Sequence, residues 1–133
     1  MKTRYQDIAP FVTRDGSVIR ELMHPQQQHA GKCFESLNIK KQSPVNQSLA
    51  EAIVSPGQST KLHRHQLSEE LYHITAGQGL MTLSEESFEV SVGDTVCIPP
   101  GTPHRIENIG DVDLKILCCC APAYAHDDTE LLE

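Results

Sequence analysis

From Ser48 onward the chain breaks into short apolar or alternating runs, each closed by turn residues, a rhythm that leaves room for strands and little for helices. "SLAEAIV" stops at "SPG", "TKLHRH" at "QLSE" and "ELYHIT" at "AGQG". "LMTL" and "FEVSV" follow, joined by "SEES", a good hairpin connection. Then come "TVCI", the rigid "PPGTP", "HRIEN", "IGDVD" and "LKILCCC". No window beyond residue 45 keeps apolar residues at i, i+3, i+4 and i+7 through a useful length, so at most a short N-terminal helical turn is expected. The pattern predicts an antiparallel all-β sandwich or barrel.

A chain of 133 residues without internal repeat or dividing linker is one domain's worth of core. Residues 48–120 carry the strand pattern. Residues 1–47 read as an N-terminal arm or extra strands of the same domain, with "GSVIRELMHP" and "GKCFESLNIK" as the strand candidates around a loop-like "QQQHAG". Residues 121–133 form an acidic C-terminal tail, read as a solvated terminus; "CAPAYAHDD" is the stretch that could instead fold over a barrel opening.

Composition excludes several partners. The formal net charge is −7 with no basic cluster, which argues against a phosphate backbone and hence against nucleic acid. No apolar stretch approaches the roughly 18 to 20 residues of a membrane span. "MKTRYQDIAP" lacks the continuous apolar segment of a secretory signal, so a cytoplasmic location is expected. Five cysteines, Cys33, Cys97, Cys118, Cys119 and Cys120, include no CxxC pair and read as free thiols of a reducing compartment. On a strand Cys118 and Cys120 share one face and Cys119 takes the other, so the run packs as small hydrophobes.

The chemistry concentrates in "KLHRHQLSEELYHITAG". His63 and His65, at i and i+2 on a strand, point to one face and can aim two imidazoles at a common point. A carboxylate from the next strand, Glu70 or its neighbour Glu69, adds a donor that favours harder divalent ions such as Mn or Fe while still admitting Ni, Cu or Zn. A third imidazole, His104, stands at the head of a strand directly after the tight turn "PPGTP".

Gly57, His63, His65, Glu70 and Gly77 stand as G-x5-H-x-H-x4-E-x6-G, and Gly93, Pro99, Gly101, His104 and Asn108 as G-x5-P-x-G-x2-H-x3-N. Both stretches resemble the two signature motifs of the cupin superfamily at every fixed position, and their short separation is similar to that of small single-domain microbial members. The resemblance implies an antiparallel jelly-roll barrel, preceded here by the N-terminal arm. Inside it would lie one divalent metal ion per chain, held by His63, His65, Glu70 and His104, with Glu70 rather than Glu69 at the motif position. Mn(II) is the first choice of ion, with Fe(II), Ni(II) or Zn(II) accommodated by the same donors. Four protein ligands on an octahedral ion leave two positions for a small-molecule ligand. The resemblance further implies a homodimer.

The expected function is a metalloenzyme acting on a small oxygenated metabolite such as a sugar, uronate or keto acid, of isomerase, decarboxylase or dioxygenase type. The alternative is a non-catalytic, metal-dependent binder or sensor. No GxSxG elbow, P-loop or HExxH helix offers another chemistry. Outside the four ligands, His73 has the wrong strand parity for the site, and His24, His29 and His126 read as solvated. Tyr72 and Lys61 share parity with ligands; the first reads as a core tyrosine and the second as a surface lysine. Asn108 and the motif glycines read as turn and packing residues.

Overall fold

A computed structural model describes residues 2–26 and 44–133. Among these residues, eleven strands form two sheets. They are β1 (Phe11–Val12), β2 (Val18–Met23), β3 (Ser48–Val54), β4 (His63–His65), β5 (Glu69–Ala76), β6 (Gln78–Leu83), β7 (Glu86–Ser91), β8 (Thr95–Ile98), β9 (His104–Asn108), β10 (Leu114–Ala121) and β11 (Thr129–Leu131). One sheet has the order β1-β2-β3-β10-β5-β8 and the other β11-β4-β9-β6-β7. Every ladder is antiparallel. This is the antiparallel all-β architecture that the strand rhythm predicts and the jelly-roll barrel that the motif resemblance implies. Among the described residues, helical structure is confined to two short 3-10 turns, Tyr5–Asp7 and His126–Asp128.

Side-chain alternation separates a dry end from a polar end. Along β5, Glu70, Tyr72 and Ile74 are buried while Glu69, Leu71 and His73 are exposed. Along β10 the buried set is Leu114, Ile116, Cys118 and Cys120. The inward faces of Ile74, Met81, Ile98, Ile106, Leu114 and Ile116, each at most 1% exposed, make the apolar core. Burying such side chains contributes roughly 1.5 to 3 kcal/mol apiece. Further along the same strands, Glu70, Cys118 and Cys120 reach the polar end, so the core fixes the strands that carry the site.

Turns hold the ends in place. β6 and β7 are joined by two residues, since Leu83 pairs with Glu86, with Ser84 at φ 54°. This is tighter than the four-residue "SEES" connection suggests. Asn108 is buried and donates from Nδ2 to Val54 O (2.8 Å) and Val112 O (2.7 Å), while its Oδ1 accepts from Gly110 N (2.9 Å). It thereby ties three segments together, the packing role expected of it.

The flanks join the barrel. β2 pairs with β3 and extends the sheet, so "GSVIRELMHP" does supply a strand, whereas "GKCFESLNIK", with Cys33 and His29, lies outside the described residues. The C-terminal stretch is largely exposed but does not fray: β11 pairs with β4, setting buried Thr129 opposite His65 and Leu131 opposite His63. Asp128 closes the loop beyond β4 by accepting from Leu67 N (2.9 Å) and Ser68 N (3.0 Å).

Cys118 and Cys120 are buried and Cys97 is exposed. Burial, helped by the nearby Glu70 carboxylate, pushes both buried thiols well above their ordinary pKa. Iodoacetamide is therefore expected to modify Cys97 in the native protein and to leave Cys118 and Cys120 untouched until denaturant is added. Peptide mass mapping reads the outcome, and rapid native-state labelling of Cys120 would contradict it.

Candidate metal centre

β4 is only three residues long, and its alternation turns His63 and His65 inward and Arg64 outward. Arg64 meets Glu130 of β11 at 2.7 Å, which helps hold the short strand against its neighbour. On the other side His63 pairs in register with His104, the first residue of β9. Their rings lie 4.2 Å apart between centroids. One nitrogen from each of His63, His65 and His104 lies within 4.8 Å of the other two, and all three residues are buried. Glu70 comes from the opposite sheet, and its Oε2 sits 3.2 Å from His65 Nε2 and 3.4 Å from His104 Nε2. The four sequence-predicted side chains thus converge, three imidazoles from one sheet and a carboxylate from the other. Glu69 is exposed on the outer face, away from them.

The outer ring nitrogens are all engaged. His63 Nδ1 is 2.7 Å from Lys61 O and His104 Nδ1 is 2.9 Å from Thr102 O, so each ring donates to a carbonyl two residues back. His65 Nδ1 lies 3.2 Å from Thr129 Oγ1, whose own hydroxyl donates to Ala125 O. This network assigns the Nδ1–H tautomer to all three rings and turns the Nε2 lone pairs inward. Opposite them Glu70 Oε1 accepts from Cys120 Sγ at 3.2 Å, leaving Oε2 for the centre.

Glu70 Oε2 and His104 Nε2 are buried without a hydrogen-bond partner. Such atoms are costly to bury unless something satisfies them, and lone pairs converging from four side chains call for a cation. The donor set of three imidazoles and one carboxylate fits a divalent metal ion. Protons reveal the same demand. Burial raises the Glu70 pKa, but the adjacent imidazoles of His104 and His65 outweigh it and hold the carboxyl well below its usual range. For His65 burial works downward, and Glu70 overcomes it to raise the imidazole. His63 is lowered, chiefly by burial and by the neighbouring His104.

The cavity beside these atoms is lined also by Thr13, Asp15, Tyr72, Cys118, Tyr124 and Thr129. Tyr72 keeps the parity of Glu70 and is buried, its ring 6.0 Å from that of His104. Lys61 is exposed and does not line the cavity. His73 faces outward to Thr95 Oγ1. His24 is not a freely solvated side chain: its Nε2 is 2.8 Å from Tyr124 O. Exposed His126 stands beside the Tyr124 hydroxyl at 3.1 Å.

Among the cavity-lining residues that sequence reasoning did not single out are Asp15, Tyr124 and Thr129. Asp15 lies in "TRDGS", where Asp-Gly is an ordinary hairpin signal and nothing marks the carboxylate as inward. For Tyr124 the signal was the "CAPAYAHDD" stretch, which could fold over a barrel opening and whose Tyr124 does stand at the cavity; Thr129 follows that stretch and carried no signal of its own.

A family profile described as the cupin domain matches residues 50–120. An uncharacterized protein of Methanocaldococcus jannaschii is 57% identical over 133 residues, covering 100% of this chain and 95% of that protein. The oxalate-binding protein of Thermotoga maritima is 36% identical over 62 residues, 47% of this chain and 51% of that one. Among solved structures, the Streptomyces nucleoside dehydratase Pac13 superposes with a TM-score of 0.72 at 16% identity, covering 100% of this chain and 91% of that one. At that identity the likeness speaks for the fold alone. With the family profile spanning more than half of its residues and the barrel it describes present, the chain belongs to the cupin domain family.

Proposed function

We propose that His63, His65, Glu70 and His104 hold one divalent metal ion, Mn(II) first among the candidates, and that the protein is a metalloenzyme acting on a small oxygenated metabolite of the sugar, uronate or keto-acid kind. The observation that carries this reading is the pair of unpartnered buried atoms, Glu70 Oε2 and His104 Nε2, at the convergence of side chains whose other ring nitrogens are already committed. When bound, the ion supplies Lewis-acid polarisation of a ligand oxygen.

The chain's own residues do the rest. Lys61 O, Thr102 O and Thr129 Oγ1 fix the three rings, and Cys120 orients Glu70, so little reorganisation accompanies binding. Ile19, Ala50 and Tyr72 give the cavity apolar walls that exclude water from one side of a bound ligand. A homodimer accords with the apolar row Leu49, Cys119, Leu71 and Cys97, which runs across neighbouring strands on the outward face of the larger sheet.

The test is a titration of chelator-stripped protein with Mn(II), followed by calorimetry and melting. One site per chain is expected. An ion at a hundred times its dissociation constant stabilises a folded protein by about 2.7 kcal/mol, read as a rise of several degrees in Tm. Failure of Mn(II), Fe(II), Ni(II) and Zn(II) alike to bind overturns the proposal. A second reading, a metal-dependent binder without turnover, is favoured by the likeness to the Thermotoga maritima oxalate-binding protein. Turnover screening of the metal-loaded protein against sugars, uronates and keto acids separates the two.

A further inference from the structure

The cavity has an uneven charge. Its lining includes the carboxylates of Asp15, Glu21 and Glu70, but no lysine or arginine among the described residues. A divalent ion would be neutralised by two of these carboxylates before any ligand arrived. A dicarboxylate or phosphate ligand would then find no lysine or arginine among the lining residues; the hydroxyls of Thr13 and Thr129 already donate to Asp15 Oδ1 and Ala125 O, and Arg14 donates to the Thr129 carbonyl.

Asp15 is built into this arrangement rather than left at its edge. It is 7% exposed, on the turn between β1 and β2, and its backbone carbonyl accepts from Lys61 N at 2.7 Å, two residues before His63. Its Oδ1 is saturated by Thr13 Oγ1 (2.5 Å), Ser17 Oγ (2.9 Å) and Ser17 N (3.2 Å). That leaves Oδ2 directed to the centre, 3.8 Å from His63 Nε2. A fixed carboxylate oxygen beside open ligand positions accepts hydrogen bonds from a hydroxyl and repels an anion.

We propose that Asp15 is the specificity-determining residue of this pocket, accepting a hydrogen bond from a hydroxyl of a neutral polyhydroxylated or hydroxycarbonyl ligand and turning away dicarboxylates and phosphates. The inference rests on the metal-site reading above and narrows its ligand to the neutral, sugar-like class.

Oxalate is the probe. Manganese affinity is measured first, by calorimetry on stripped wild-type and Asp15→Asn proteins, and oxalate is then titrated into the Mn(II)-loaded forms. The expected result is a manganese affinity that is weaker in Asp15→Asn but still measurable, and an oxalate affinity of the Mn(II)-loaded form higher in Asp15→Asn by roughly tenfold or more, as removal of a unit charge near a dication and a dianion at an effective dielectric of about 20 requires. Equal oxalate affinity in the two proteins overturns the proposal. So does abolition of manganese binding in a folded Asp15→Asn protein, which would make Asp15 a metal ligand instead. If Asp15→Asn does not fold, the wild-type protein decides alone. Oxalate binding weaker at the protein-held ion than at Mn(II) in buffer supports the proposal, and tighter binding overturns it. Absence of manganese binding by the wild type would instead sink the metal-site reading.

Discussion

His104→Ala is expected to lower the affinity for a divalent ion by about 100-fold or more, with the barrel still folded. Loss of mere supporting contacts to ligands costs 10- to 100-fold in known metal sites, so loss of a ligand should reach at least the upper end. His104 is fully buried and supplies one of the two unpartnered atoms at the centre. Its removal breaks the three-imidazole cluster while leaving His63, His65 and Glu70 in place. The apo protein should respond modestly, because the cavity left by the ring is offset by relief of converging lone pairs. Calorimetric titration together with far-UV circular dichroism checks both halves. Unchanged ion affinity in a folded His104→Ala protein would remove that ring from the ligand set.

Gly77→Ala should be the most damaging single-methyl change in the barrel. Gly77 sits at φ +80° between β5 and β6, and an added Cβ would lie 2.8 Å from Asp113 O and 2.9 Å from Leu114 Cα. Both are backbone atoms, and the second belongs to a fully buried residue of β10. The left-handed conformation costs a non-glycine residue about 1 to 2 kcal/mol, and overpacking adds roughly 1 to 3 kcal/mol. A total near 3 kcal/mol is a large part of the about 5 to 15 kcal/mol that holds a domain together. A fall in Tm of roughly 10 °C follows for a chain of this size. Gly93→Ala is the control, because Gly93 also has positive φ, at +96°, but its Cβ would meet nothing within 4 Å. Only the conformational cost applies there, and equal losses for the two variants would show that the clash with Asp113 and Leu114 is relieved.

Much of the barrel was legible because strand alternation is a local property. "SLAEAIV", "TVCI" and "HRIEN" coincide with β3, β8 and β9, and the inward parity of Cys118 and Cys120 could be read two residues at a time. Convergence of His63, His65, Glu70 and His104 was legible for a different reason, since two motifs at fixed spacing stand in for the tertiary geometry. Asp15 was hidden because its inward turn depends on β2 docking beside β3 and on Lys61 reaching its carbonyl, contacts set by sheet order rather than by neighbouring residues. The pairing of β11 with β4 escaped for the same reason. "HDDTELLE" has the charge of a solvated terminus, and only the position of β4 at an otherwise open edge gives Thr129–Leu131 a ladder to join.

That ladder bears on the kinetics of the centre as well as on its shape. β4 carries two of the three imidazoles, yet it meets β9 at a single registered pair and β11 at three. Fraying of the last strand would therefore loosen His63 and His65 together, with the rest of the barrel intact. Such local opening lies at the low end of a protein's unfolding free energies. An ion held here would come and go on the timescale of that opening, and its residence time would be governed by a strand that contributes no ligand.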